Sequence, residues 1–147
     1  MARSIIGVIV GYIVMFILHV AAFMTIYTVM GPDWSFKPAS YQASTRWIVT
    51  GFAVLLITGI IAGLVCALIA KGGKAPMVLA GVILVLGLTL TAVANSMNPA
   101  DPNEVRTGNV PNMEAMSKAQ NPTWVIFLGP VISAVGAAIG GKLKRKS

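Results

Sequence analysis

The chain has 147 residues, of which 56% are hydrophobic and 10% are Asp, Glu, Lys or Arg, and its formal net charge is +7. Soluble domains average about 25% charged residues, so this composition leaves too little polar surface for a water-soluble particle. One cysteine excludes a disulfide framework, and one histidine excludes a multi-histidine metal or haem site. Lipid is therefore the expected solvent for most of the chain.

Four long apolar runs follow one another, and none of them contains Asp, Glu, Lys or Arg. A bilayer core of about 30 Å needs roughly 20 apolar residues in a helix, and backbone groups in lipid must be paired within their own segment. We therefore predict an all-α protein, an integral membrane four-helix antiparallel bundle that forms a single membrane domain over residues 1–147. The predicted helices cover residues 5–30, 48–70, 77–95 and 124–142.

Basic residues are distributed unevenly among the connecting segments. Residues 1–4, 71–75 and 142–147 carry seven Lys or Arg and no acid, whereas residues 31–46 and 96–122 carry four Lys or Arg and all four acids. Cytoplasmic segments of membrane proteins are enriched in Lys and Arg. Both termini are therefore predicted to be cytoplasmic, in a multi-pass protein of the bacterial inner (plasma) membrane.

Two sets of residues are predicted to meet the membrane surface. Trp34, Trp47 and Trp124 fall at helix ends on the predicted outer side, where indole rings prefer to lie. The C-terminal tail suits an anionic lipid surface through Lys142, Lys144, Arg145 and Lys146. The lipid bilayer is thus an expected partner, whereas nucleic acid is not, because no soluble domain is available to bind it.

Small residues recur at helical spacing in the apolar runs. Helices in lipid associate through close van der Waals contact, which small residues permit. The predicted helix-packing residues are Gly7, Gly11, Gly59, Gly63, Ala67, Gly129, Ser133, Ala137 and Gly141. Two interpretations stay open: contacts within one bundle, or an interface with another membrane protein or a second copy of the chain. The second span carries small residues on two faces, so it is expected to lie centrally, and short connections favour antiparallel neighbours.

Three polar residues reach similar depth when positions are counted along antiparallel helices: His19, Thr58 and Ser133. An imidazole without a partner in hydrocarbon costs several kcal/mol. We therefore predict a buried polar network in which His19 bonds to Thr58, Ser133 or a backbone carbonyl. A proton relay is the functional alternative, but it needs further titratable groups that the spans lack.

The segment 96–122 predicts a short amphipathic helix. Asn112 is placed to cap it, Glu114 and Lys118 are spaced to pair at i,i+4, and Asn121-Pro122 is placed to end it. Its apolar side is expected to lie on the bundle through Met113, Met116 and either Ala119 or Gln120.

No catalytic triad, phosphate-binding loop or buried carboxylate pair is present, so we expect no enzyme activity and no cofactor. Metal binding is not expected either, although the methionines of segment 96–122 could hold copper(I), and its Asn, Asp and Glu residues a hard cation. The leading hypothesis is a non-catalytic accessory or scaffold subunit that packs against another membrane protein or itself. The alternative is a small oligomeric channel, holin-like pore or transporter, lined by His19, Thr58, Thr89 and Ser133.

The layout also carries a resemblance. The basic start, the Gly7 and Gly11-Tyr12 positions of the first span and the closing Gly140-Gly141-Lys142 resemble short four-span bacterial inner-membrane proteins that have no assigned activity. The resemblance implies the location and the four-span layout, and it implies no chemistry.

Overall fold

The computed structural model describes residues 2–71, 73–97, 101 and 103–146. Within these residues the chain forms helices and three isolated β-bridges but no strand. In chain order the helices are α1 (Ala2–Met30), α2 (Pro32–Ser35), α3 (Thr45–Ala70), α4 (Ala75–Met97), α5 (Asn112–Lys118) and α6 (Thr123–Lys146). The all-α prediction is confirmed.

The helices α1, α3, α4 and α6 are long and apolar enough to cross a membrane, with mean hydropathies of 1.8 to 2.8 over their most apolar windows. Little of this apolar surface is covered by the protein itself: 11% of the window in α1 and 17% of that in α4 is buried. Such surface needs lipid around it. By length and composition the chain therefore fits a multi-pass membrane protein.

The ends of α3 show why the helices extend beyond the apolar runs. Ser44 caps the helix, because its Oγ accepts a hydrogen bond from the Trp47 N–H at 3.1 Å and donates one to the Trp34 carbonyl at 2.6 Å. At the other end Lys71 adopts the left-handed conformation, with φ of 55°, and its N–H bonds to the Ala67 carbonyl. These caps let α3 begin three residues before the predicted position.

α3 lies at the centre and contacts α1, α4 and α6. Its most extensive contact is with α6, and these two helices run in the same direction, since Gly59 lies against Ser133 and Gly63 against Ala137. α1 runs antiparallel to α3, and α4 antiparallel to α6. The short connection joins α3 to α4, which also contact each other and run antiparallel, although this contact is less extensive than that of α4 with α6.

We call residues 31–44, 101 and 103–121 the cap, because these segments pack together at one end of the bundle. Isolated bridges join Phe36 to Ala43, Ser40 to Val105 and Gln42 to Gln120. Beneath them lies a small apolar core made of Tyr27, Phe36, Tyr41, Val110 and Ala115. The opposite end of the bundle, which holds residues 2–4, 71, 73–75 and 142–146, is called the terminal end.

The cap helix α5 differs in detail from its prediction. Glu114 and Lys118 pair at 3.0 Å as their spacing requires. The N-cap, however, is Pro111, and the Asn112 side chain instead donates to Thr28 Oγ1 at 2.8 Å. The buried residue is Ala115 and Ala119 packs on the same core, whereas Met113 is 72% and Met116 52% exposed, so the predicted apolar side is wrong for the two methionines. The small Ala115 lets α5 approach the aromatic core closely.

Candidate functional site

The contact between α3 and α6 is made by backbone against backbone. A Cβ atom on Gly59 would overlap the carbonyl oxygen of Ser133, and one on Gly63 would overlap that of Ala137. Only glycine fits at these two positions without moving the helices apart. Glycine thus allows the closest contact that a helix pair in lipid can make.

Glycines of α6 also pack against the backbone of α3, and these glycines were not among the predicted helix-packing residues. A Cβ on Gly136 would lie 2.6 Å from the Leu56 carbonyl oxygen, and one on Gly140 would overlap the Ile60 carbonyl oxygen. Gly136 and Gly140 each stand beside a second small residue, Ala137 and Gly141, and spacing alone does not show which small residue lies against which helix.

The remaining predicted packing residues lie at several contacts between helices rather than at one. Gly7 and Gly11 of α1 lie on α3, near Cys66 and Ala62. Ala67 is 1% exposed, and Gly129 makes only ordinary contact, with Leu55. Between α4 and α6 each helix presents a proline to a glycine of the other: Pro76 lies on Gly141, and Pro130 lies on Gly87.

The predicted polar network does not form among the described residues. Thr58 is buried, but its hydroxyl donates to the Val54 and Leu55 carbonyls of its own helix. Ser133 is also buried, and no hydrogen bond joins either residue to His19 in the part of the chain that the structure describes. Thr89 is exposed on α4 and bonds back to Val85, so the four polar residues do not line one surface.

His19 lies instead beside two adjoining cavities near the cap. The first has a volume of about 220 Å³ and the second about 260 Å³. Both are lined by His19, Phe23, Trp47 and Asn121, so the histidine stands where the two cavities meet. The first cavity extends under α5, and the second extends between α3 and α6.

Aromatic rings form much of the cavity walls. The His19 and Phe23 ring centres are 4.7 Å apart, those of Phe23 and Trp47 are 5.3 Å apart, and those of Tyr27 and Trp47 are 6.4 Å apart. The described residues that line either cavity include no Asp, Glu, Lys or Arg. Such a space suits a neutral, largely apolar occupant, and its few polar groups would orient that occupant.

Comparison with known proteins identifies no relative of the chain. No family model, curated protein or solved structure matches the chain. The geometry therefore carries the functional argument alone.

The three tryptophans all lie near the cap, but in different settings. Trp124 is 58% exposed and contacts Phe52, with ring centres 6.0 Å apart. Trp34 stacks edge-on to Trp47 at 6.3 Å. Trp47 itself is half-buried against Phe23 and Tyr27, so it is a wall of the cavities as well as a residue at a helix end.

Charge separates the two ends of the molecule. At the terminal end the described basic side chains are all exposed; they are Arg3, Lys71, Lys74, Lys142 and Lys144. The side chains of Arg145 and Lys146 lie outside the described part. In the cap, by contrast, Arg106 pairs with Asp33 at 2.5 Å, and Lys118 pairs with Glu104 and Glu114.

Hydrogen bonds to two carboxylates shift the pKa of the cap residue Lys118. Side-chain bonds to Glu104, and then to Glu114, raise the pKa of Lys118 above its ordinary value of 10.5. Among residues 2–71, 73–97, 101 and 103–146, no three His, Cys, Asp or Glu side chains converge as metal ligands would. Of the residues considered for a hard cation, Asn98 lies outside this range.

Proposed function

We propose that the protein is a non-catalytic multi-pass membrane protein that serves as an accessory or scaffold subunit and binds its partner through one face of α4. The partner is another membrane protein or a second copy of the chain. The observation that carries the proposal is a difference between α4 and the other long helices in how their small residues are used.

The glycines of α1, α3 and α6 are largely used inside the bundle, but Gly81 of α4 is exposed and has nothing within 4 Å of the position of a Cβ. Gly81 shares one face of α4 with four further exposed residues, at spacings of three or four; they are Val85, Thr89, Ala92 and Ser96. We call this set the open face. Small residues on a lipid-exposed helix allow another helix to approach closely.

The far end of α4 supports the same proposal. Residues 92–97 are exposed on every side, so about one and a half turns of the helix extend past the last neighbour. At this end the open face is therefore uncovered, and a partner helix can contact it there. In the absence of a partner, lipid would cover it.

We further propose that the protein resides in the bacterial inner membrane with both termini in the cytoplasm. The exposed, unpaired cations of the terminal end support this orientation, since the acids of the chain all lie in the cap segments. Ion pairs neutralise two of the three cap cations, Arg106 and Lys118, which increases the contrast between the two ends.

Two alanines on opposite faces of α4 test the partner proposal. Ala92 lies on the open face, and Ala94, two residues later, lies about 200° around the helix; both are exposed. We expect Ala92→Leu to release the partner when the protein is extracted in mild detergent and its complex is weighed by native mass spectrometry. Ala94→Leu is the matched control and should leave the complex intact.

Each result of that comparison decides the proposal. A complex of two copies, or of this chain with a different membrane protein, supports it if Ala92→Leu alone dissociates the complex. A monomer that carries only lipid, or equal loss in both variants, would overturn it.

Orientation is tested by cysteine labelling in intact cells. Cys66 is fully buried and is first replaced by Ala. Met113→Cys in the cap should react with a membrane-impermeant maleimide, whereas Ser4→Cys at the terminal end should react only after the cells are broken. The reverse pattern would place the termini outside the cytoplasm.

A further inference from the structure

We propose that the two cavities beside His19 form a binding site for a neutral aromatic alcohol, a molecule with one substituted ring and a hydroxyl group, such as an alkylphenol. The site is independent of the α4 interface, because no residue of the open face lines either cavity.

Size favours a ligand with a single ring. An apolar cavity of about 150 Å³ holds benzene in other proteins. Volumes of about 220 and 260 Å³ thus leave room for a substituted ring in one cavity and its apolar substituent in the other. The walls contribute the faces and edges of Phe23, Trp47 and Phe52, against which a flat ring packs favourably.

Polarity favours a hydroxyl group on that ring. A neutral imidazole offers one hydrogen-bond donor and one acceptor, and the half-buried His19 has neither engaged by the described residues. A hydroxyl group can both donate and accept, so it satisfies either nitrogen. The absence of ionised side chains from the described lining excludes a charged ligand, which would have to be desolvated without a counter-charge.

Asn112 supplies a second polar group to the first cavity. Thr28 Oγ1 already donates to the Met24 carbonyl, so it can only accept from Asn112, and this orients the amide with Nδ2 toward Thr28. The amide oxygen of Asn112 is then left buried without a hydrogen-bond partner among the described residues. An unpaired buried acceptor favours a ligand that brings a donor.

α4 leaves a side of the second cavity open to lipid. Thr91 lines that cavity, but the residues after it are exposed on every side and cover nothing. A ligand dissolved in the membrane can therefore enter laterally, beside the free end of α4.

Trp47 provides a built-in reporter of this site, because it lines both cavities. A full-length chain with Trp34→Phe and Trp124→Phe keeps Trp47 as its only tryptophan. A matched chain with Trp34→Phe and Trp47→Phe keeps only the exposed Trp124, which reports ligand dissolved in the detergent micelle. The probe is 4-bromophenol, whose bromine quenches indole on contact, and the comparison compound is 4-bromoanisole, its methyl ether, which keeps the ring and the bromine but lacks the hydroxyl donor.

The expected result is a preference for the phenol that only the Trp47 chain shows. For each probe, the quenching of Trp47 is divided by the quenching of Trp124 in the matched chain. This normalised quenching should be about threefold to tenfold stronger for 4-bromophenol than for 4-bromoanisole, as one buried hydrogen bond implies. His19→Leu, added to the Trp47 chain, should bring this ratio close to one. His19→Gln, which keeps a donor and an acceptor, should restore most of it.

Three outcomes would overturn the proposal. Trp47 quenching no stronger than that of Trp124 would mean that the cavities bind neither probe. Equal quenching by the two probes would mean an apolar space with no hydroxyl recognition. A phenol preference that persists in His19→Leu would mean that His19 does not bind the hydroxyl.

Discussion

In the bundle, α3 and α6 meet through glycine backbones, whereas in the cap the two segments meet through aromatic rings, ion pairs and side-chain hydrogen bonds. Tyr27 links the two regions: it belongs to α1, and its hydroxyl donates to the Val110 carbonyl in the cap at 2.7 Å. The two regions are built for different solvents.

Lipid and water explain the difference. Lipid tails are as apolar as the side chains, so burial of apolar groups gains little there, and close van der Waals contact between helices becomes the main stabilising term. In water the burial of Tyr27, Phe36 and Tyr41 is favourable in itself, at roughly 25 cal/mol per Å² of apolar surface. We therefore expect a substitution that adds side-chain volume to destabilise the bundle, and one that removes a polar partner to destabilise the cap.

The largest effect is expected from Gly63→Ala. The added Cβ would overlap the Ala137 carbonyl oxygen, and since both atoms belong to helices, the overlap is relieved only by separating α3 from α6. We expect a loss of about 3 kcal/mol in the free energy of unfolding, at the upper end for overpacking. Reversible unfolding by SDS in mixed micelles, followed by circular dichroism, measures it.

Gly81→Ala is the matched control for that substitution. Its Cβ meets nothing within 4 Å, and alanine has a higher helix propensity than glycine by about 1 kcal/mol, so the variant should be as stable as the parent chain or slightly more so. Equal destabilisation by the two substitutions would contradict the assignment of the α3–α6 contact as the main support of the bundle.

A smaller effect, confined to the cap, is expected from Asp33→Asn. The Arg106 side chain is 6% exposed and that of Asp33 is 89% exposed, so the substitution leaves a buried guanidinium without its anion. The cost should be about 1–3 kcal/mol, more than the 0–1 kcal/mol of a surface ion pair. Faster amide hydrogen exchange at Ala43 and Gln120, which bond across the cap, would report it.

Asp101→Asn separates this effect from a general loss of negative charge. It removes the same charge from the cap but keeps an oxygen that can accept the Asn103 N–H. Exchange at Ala43 and Gln120 should then change little, and exchange within α3 should not change in either variant. If both variants loosen the cap alike, the Arg106–Asp33 pair has no special role.

The sequence predicts the bundle better than the cap, for a physical reason. Hydrocarbon demands an apolar helix of a certain length, and this demand appears directly as runs such as residues 48–70. Small residues likewise mark the packing faces. Neither pattern tells which face packs against which. The sequence therefore does not predict the contact of Gly59 with Ser133 between parallel helices, or the contacts of Pro76 and Pro130 with glycines of the facing helix.

The cap and the cavities depend on contacts between residues far apart in the chain. Val110 and Asn112 reach back to Tyr27 and Thr28, more than eighty residues earlier, and no local periodicity indicates this. The predicted hydrogen bond from His19 to Thr58 or Ser133 was also wrong, because residues at equal depth in the membrane need not lie on facing sides of their helices. Thr58 bonds within its own helix instead. Residues that do line the cavity, such as Phe23, carry no polar signal in the sequence.

The smallest effect is expected from Lys118→Met, and it depends on pH. The bonds to Glu104 and Glu114 raise the pKa of Lys118 above its ordinary 10.5 in the folded cap, so the folded state holds the proton more tightly than the unfolded state does. The contribution of Lys118 to cap stability is then fully present below pH 10.5 and falls as pH rises from there through the raised pKa. Amide hydrogen exchange in the cap should therefore differ between the parent chain and Lys118→Met below pH 10.5, and this difference should shrink as pH rises further.

Alkaline solution affects the whole molecule, so the comparison is made between variants rather than between pH values alone. Lys37→Met is the matched control, because Lys37 bonds to the neutral Gln42 side chain at 3.2 Å and pairs with no carboxylate among the described residues. Its difference from the parent chain should stay small at every pH. Two results would contradict the prediction: a difference between Lys118→Met and the parent chain that stays constant above pH 10.5, or one that vanishes near neutral pH in moderate salt. Either result would show that the two glutamates do not stabilise the cap through this ammonium group.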